Sequence, residues 1–235
     1  MKPIDVKKKL SVAIDGVAGN SHDYCVNEKS DFKRNRKLPF KRMMQGIIGM
    51  GGGSLANELL DMSEYSPESA STSAFVQQRV KIKPEAFETV FRSFSNNISC
   101  DFTEDMRILA LDGSAMQIAT NPNDTDSFFP GTNGQKPYNL LHLNALYDLK
   151  HHIYIDAVIQ KAKFRNEHKS FIDMVDRSDI KNALVIADRG YESYNNMAHV
   201  QEKGWKFLIR VKDGNTGIKS CLDYRSSRNT MWKCI

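Results

Sequence analysis

The sequence predicts two parts, a helical front over residues 1–98 and an α/β body over residues 99–235. Three observations predict them. Apolar residues recur at spacings of three and four through the first part, which marks amphipathic helices. After Ser99 they gather instead into short unbroken runs, two of which end in an aspartate with a glycine close behind. The third is charge: residues 1–49 hold 11 Lys and Arg against 5 Asp and Glu, whereas the rest hold 22 against 23.

In the front part, residues 1–30 are polar and weakly periodic, with one helix expected near 5–14. From Phe40 the residues Phe40, Met43, Met44, Ile47 and Ile48 form one apolar helix face. Gly51-Gly52-Gly53 ends that helix, and Ser54 is placed to cap a second one carrying Leu55, Leu59 and Leu60. Residues 63–71 are polar and read as a loop. Ser71-Thr72-Ser73 offers caps for a third helix from Ala74 to about Val80, which carries Gln77, Gln78 and Arg79. Pro84 suits the first turn of a fourth helix with Phe87, Val90, Phe91 and Phe94 on one side.

In the second part, Ile108-Leu109-Ala110-Leu111 reads as a buried strand that enters a turn at Asp112-Gly113. Residues 121–139, rich in Asn, Pro, Gly and Asp, read as a long irregular loop. Leu140–Leu149 and Ile153–Ile159 form a hairpin around Lys150-His151-His152. An amphipathic helix is expected over Glu167–Arg177, then a buried strand over Ala183–Ala187 ending at Asp188-Arg189-Gly190. A helix near Tyr194–Lys203 and a strand over Lys206–Val211 complete an α/β order.

Composition narrows the classes of function. The chain has 235 residues, of which 40% are apolar and 26% charged, an ordinary globular balance. No run approaches the 18 apolar residues of a membrane span, and Met1–Asp5 leads into Lys7-Lys8-Lys9 without a signal-peptide core. Cys25, Cys100, Cys221 and Cys234 form no C-x-x-C pair, so a cytoplasmic protein with reduced thiols is expected. The densest basic run has Lys29, Lys33, Arg34, Arg36, Lys37, Lys41 and Arg42 against Asp31 alone. Such a front suits a polyanionic partner, either DNA or RNA. Gln77, Gln78 and Arg79 are of the types that read base edges from a helix.

Asp112 and Asp188 share one context, an apolar strand followed by a carboxylate and then a glycine. Ligands of α/β sheets collect beyond the carboxyl ends of strands. Magnesium prefers hard oxygen ligands and takes one or two carboxylates from a protein. Two carboxylates on neighbouring strands could hold a pair of ions about 3.5–4 Å apart, as in-line phosphodiester chemistry requires. Arg189 and Tyr191 flank the second aspartate, where they could touch a phosphate and stack on a base, or form a salt bridge and a packed ring. His142, His151, His152 and His168 match no zinc spacing. Asp148 and Asp156 are expected in ordinary turn or surface positions.

At these residues the sequence resembles a known family. Ile108-Leu109-Ala110-Leu111-Asp112-Gly113-Ser114 and Leu184-Val185-Ile186-Ala187-Asp188-Arg189-Gly190-Tyr191-Glu192-Ser193 are similar to the first and second acidic motifs of DDE-type transposases, nearest to the bacterial insertion-sequence group named after insertion sequence four. Asn166-Glu167, Phe207–Lys212 and Ser73–Arg79 fit the same resemblance, which spans about residues 28–213. It implies a DNA-binding helical front and a ribonuclease-H-like core that cuts element ends and joins them to target DNA. It also implies Mg²⁺ or Mn²⁺ as cofactor, with Asp112 and Asp188 as the first two acidic ligands. Expected partners are DNA and a second copy or a full-length transposase, and the expected location is the bacterial nucleoid. The family's third carboxylate lies in a Tyr-x-x-Arg-x-x-x-Glu-x-x-x-x-x-x-Lys pattern that this sequence lacks. The expectation is therefore a C-terminally truncated, incomplete core, and the alternative is an inactive DNA-binding remnant that regulates full-length transposase.

Overall fold

The computed structural model describes residues 2–34, 37–99, 106–132, 134–212 and 217–218. The chain divides into two compact units, Met1–Phe102 and Thr103–Ile235.

The first unit is helical: α1 (Pro3–Gly19), α2 (Phe40–Gly49), α3 (Leu55–Met62), α4 (Thr72–Arg79) and α5 (Glu85–Ser99). The helix expected near 5–14 is longer at both ends. Pro3 occupies its first turn, where a missing N–H costs nothing, and Ala13, Ile14 and Val17 supply a buried stripe that continues past residue 14. Exposed Val12 blurs that stripe in the sequence. The predicted caps are in place, with Ser54 accepting from the Asn57 N–H and Ser71 from the Ala74 N–H. Phe40, Met43, Met44, Leu59, Phe75 and Val90 join the α1 stripe in one core. Between α1 and α2, a bridge pairs Cys25 with Ile82, tying the basic segment's leading edge to the α4–α5 connection. Cys25 is a buried free thiol, and the other three cysteines lie outside the described residues.

The second unit is a six-stranded mixed sheet with helices: β1 (Arg107–Ile118), β2 (Phe128–Phe129), β3 (Tyr138–Asp148), β4 (Ile153–Lys161), α6 (Glu167–Asp176), β5 (Ala183–Ala187), α7 (Tyr194–Glu202) and β6 (Lys206–Ile209). The strand order is β2-β3-β1-β5-β6, with β4 also on β3. β1 runs antiparallel to β3 and parallel to β5, and β5 runs parallel to β6. This arrangement is compatible with an α+β ribonuclease-H-like core. Leu109, Leu111, Leu146 and Val185 of the sheet pack against Phe171, Met174 and Val175 of α6 and Val200 of α7. Burying each such side chain stabilises the fold by about 1.5–3 kcal/mol. No helix among the described residues is long and apolar enough to cross a membrane.

Three sequence expectations need correction. Asp112-Gly113 is not a turn: β1 continues through it to Ile118, because β3 pairs with β1 from Leu109 to Ile118. The loop over 121–139 contains β2 and is tied down by Asn139, fully buried on β3. Its side chain accepts from the Asn121 N–H at 2.8 Å and donates to the Ser127 hydroxyl at 2.8 Å. Asp148 stands at the β3–β4 turn as expected, accepting from the Lys150 and His151 N–H groups, but it is buried, and Asp156 is buried rather than on the surface. Asp148 ends β3 beside Arg107 (2.5 Å), and Asp156 pairs with Arg177 (2.6 Å).

Candidate active site

β1 and β5 differ in length, and that difference makes the site. The two strands are paired from Arg107↔Ala183 to Leu111↔Ala187, where β5 ends. The next position on each strand is an aspartate, so the register brings Asp112 and Asp188 side by side, with neighbouring strands about 4.8 Å apart. β1 carries on without a partner on that edge. Leu111 and Ala187 are buried, whereas Asp112 and Asp188 are exposed. A core residue followed at once by an open carboxylate on both strands is the geometry that the two sequence motifs share.

The backbone around both aspartates is fixed. Asp112 accepts from the Gly113 N–H at 2.8 Å. Asp188 precedes a short 3₁₀ turn, Arg189–Tyr191, in which the Tyr191 N–H donates to the Asp188 carbonyl at 3.0 Å. Arg210, just past β6, reaches to 3.8 Å from the Asp188 carboxylate, with both side chains exposed. Such a loose surface pair contributes little and leaves the carboxylate open to an ion.

Below the aspartates lies a polar layer of Tyr191 with two β3 residues, Asn144 and His142, which no sequence motif ties to the site. Asn144, fully buried on β3 opposite Gly113, donates to Ser170 (3.2 Å) and accepts from the Tyr191 hydroxyl (3.3 Å). Tyr191 is buried and packs on Phe171 with ring centroids 5.9 Å apart. Base stacking by Tyr191 is thereby corrected to the packed-ring role. Burial pushes its hydroxyl pKa up, and the charges of Glu167 and then Asp112 raise it further. His142, also on β3, is buried with Nε2 at 3.1 Å from Glu167. A Cβ on Gly113 would come within 2.8 Å of His142 Nε2 and 3.1 Å of Asn144 Oδ1, so a side chain here would make one of them shift. The available signals were Gly113 inside a strand pattern and Asn166 as the cap of α6, which accepts from the Lys169 N–H at 2.9 Å.

The other candidates separate. Arg189 is exposed at the site's rim. Glu192 accepts from the Lys212 N–H at 2.7 Å and so braces the chain after β6. His151 contacts Asp148 (3.0 Å), His168 contacts Asn196 (2.9 Å), and His152 sits in the β3–β4 turn with φ of 56°. In the helical unit Lys33, Arg34, Lys37, Lys41 and Arg42 are exposed, with Lys41 paired to Asp15 at 2.5 Å. Arg36 lies outside the described residues. On α4, Gln77 and Arg79 are exposed and Gln78 is half-buried beside Lys81.

Against known proteins, the family model described as Transposase DDE domain matches residues 103–234, more than half of the chain. The chain belongs to the DDE transposase domain family. This domain ties it to DNA transposition, with DNA as the partner and divalent metal ions as the family's usual requirement. No curated protein matches the chain. Among the described residues, no group of three His, Cys, Asp or Glu side chains could enclose a metal ion. The two adjacent exposed aspartates do fit magnesium's chemistry, since that ion takes one or two carboxylates and keeps several waters.

Proposed function

We propose that the chain binds the ends of a bacterial insertion sequence of the group named after insertion sequence four, and catalyses Mg²⁺- or Mn²⁺-dependent strand cleavage and transfer. The observation that carries this reading is the register that sets Asp112 and Asp188 side by side, exposed, within a DDE transposase domain. A divalent ion bound there would supply Lewis acidity at a phosphoryl oxygen and at an attacking hydroxyl or water. Asp112 and Asp188 would be its protein ligands. Gly113, through its N–H, holds one oxygen of Asp112 and leaves the other for the ion. Arg189 and Arg210, exposed beside Asp188, hold the scissile strand through its phosphates.

The helical unit Met1–Phe102 supplies affinity in this proposal. Lys33, Arg34, Arg36, Lys37, Lys41 and Arg42 track phosphates, and Gln77, Gln78 and Arg79 on α4 read bases. The exposure of five of these six basic residues supports the first part, and the exposure of Gln77 and Arg79 the second. Neutralising phosphates in this way gives affinity that falls steeply with salt.

A second reading is an inactive DNA-binding regulator of a full-length transposase, and one observation favours it. Among the described residues, no three His, Cys, Asp or Glu side chains are close enough to enclose a metal ion. Nicking of labelled DNA carrying the element's own ends, with Asp188→Ala as control, separates the two. Mg²⁺-dependent nicking that vanishes in the variant is the expected result. Binding of the ends without nicking would establish the regulator, and nicking by Asp188→Ala would overturn the assigned site.

A further inference from the structure

Near the two aspartates stands a further acidic residue, in the Asn166-Glu167 segment. Glu167 stands in the first turn of α6, and its position is set by the Asn166 cap and by a Ser170 N–H bond to the Asn166 carbonyl. Oε2 of Glu167 faces Gly190, two residues past Asp188, at 3.8 Å from where a Cβ on that glycine would stand. Oε1 lies 3.1 Å from His142 Nε2. The His142 ring lies in turn over Gly113, the residue after Asp112. Glu167 therefore sits between the backbones that carry the two aspartates.

The second observation is His142 itself. Its side chain is only 5% exposed, yet neither ring nitrogen completes a hydrogen bond, because the close approach of Nε2 to Glu167 is not aligned as one. Leaving a buried polar group without a hydrogen bond is costly, so a fold retains one where something else uses it. A buried ring 3.1 Å from a carboxylate, and resting over Gly113, stands where it can place that carboxylate.

We propose that Glu167 is the third carboxylate of the centre, acting on the hydration shell of an ion held by Asp112 and Asp188, and that His142 positions it. This rests on the metal-dependent reading of the site. An outer role agrees with the absence, among the described residues, of three side chains close enough to enclose an ion. Magnesium sheds its waters reluctantly, and outer-sphere carboxylates hold those waters in place.

Mn²⁺ titration of the full chain, followed by the electron paramagnetic resonance signal of free Mn²⁺, tests this without requiring turnover. Wild type is compared with Asp112→Asn, Asp188→Asn, Glu167→Gln and His142→Gln, with thermal unfolding of each as the check on folding. Glu167 is about one-third exposed, so Glu167→Gln is expected to fold as wild type does. The expected result is loss of saturable binding in either aspartate variant, and affinity weakened about 10-fold or more in Glu167→Gln. His142→Gln should weaken it less, and Glu167→Asp should restore part of it. Wild-type affinity in a folded Glu167→Gln, with binding still lost in Asp188→Asn, overturns the role of Glu167 and leaves the metal centre standing. Unchanged binding in both aspartate variants overturns the metal centre and this proposal together.

Discussion

The same sheet treats two pairs of carboxylates in opposite ways. Asp148 and Asp156 are buried and each is matched to an arginine, Arg107 at 2.5 Å and Arg177 at 2.6 Å. Asp112 and Asp188 are exposed, and the only cation near them in an ion pair among the described residues is Arg210, at 3.8 Å from Asp188. Arg107 and Asp112 lie on one strand, five residues or roughly 17 Å apart. A buried carboxylate must be neutralised where it stands, or its desolvation undoes the fold. A carboxylate meant for an ion from solution has to stay open. Equal residue types thus separate by what packs against them: an arginine meets each buried aspartate, whereas the exposed pair stays open.

The sharpest way to break this comparison is to neutralise one member of each pair. Asp148→Asn should destabilise the α/β unit by about 3–5 kcal/mol, because Arg107 is then left charged and buried. Urea denaturation measures it, and a loss under 1 kcal/mol would show that the pair is not structural. The acid limb of stability checks the same pair. Burial would push the Asp148 carboxyl up, but the His151 N–H and the Arg107 guanidinium outweigh it and hold the pKa below its usual value. The stabilisation is then fully present above the unfolded value of about 4 and is lost as pH falls through the lower folded value. The gap in unfolding free energy between wild type and Asp148→Asn should stay constant from pH 7 to about pH 4 and narrow below it.

At the other end of the sheet the expectations reverse. On the proposed function, Asp188→Asn lowers strand cleavage by about 10²–10³-fold or more. It should move stability by no more than about 0.5 kcal/mol, because an exposed group away from any packed contact is being changed. Cleavage assays and denaturation on the same preparation decide it. Large losses of both would mean that Asp188 is a structural residue like Asp148. Gly113→Ala sits between these cases. Its new methyl has to displace His142 or the buried Asn144, which should cost about 1–3 kcal/mol. An unchanged unfolding midpoint would show that His142 is free to swing away.

Much of this was legible before the fold was known, and the failures have physical causes. β5 is legible over its true span because five consecutive apolar residues bounded by polar ones mark a buried strand. Ser54 and Ser71 were legible as caps because the capping bond is local in sequence. Asp112-Gly113 was read as a turn because a local pattern carries no information about β3, whose pairing holds the strand extended. The turn position of Asp148 is legible, but its burial against Arg107 is not, for a related reason: the arginine lies 41 residues earlier, so nothing local marks the pair. The two aspartates and the Asn166-Glu167 segment could be found from motifs, but the meeting of His142, Asn144 and Glu167 in one layer could not. Those residues are spread over β3 and α6 and meet only through packing.

The smallest effect completes the comparison. Arg210→Ala removes the cation nearest Asp188, across 3.8 Å between two exposed side chains. Screened by water and salt, that pair should contribute less than about 0.5 kcal/mol, roughly a tenth of what Arg107 and Asp148 lose together. The variant should therefore unfold at the wild-type urea concentration. Its consequence should appear in DNA binding: if Arg210 holds a phosphate, removing it lowers the slope of log affinity against log salt by about 1. An unchanged slope with a clear loss of stability would make Arg210 a structural partner of Asp188, and the second aspartate would then be neutralised within the fold as Asp148 is.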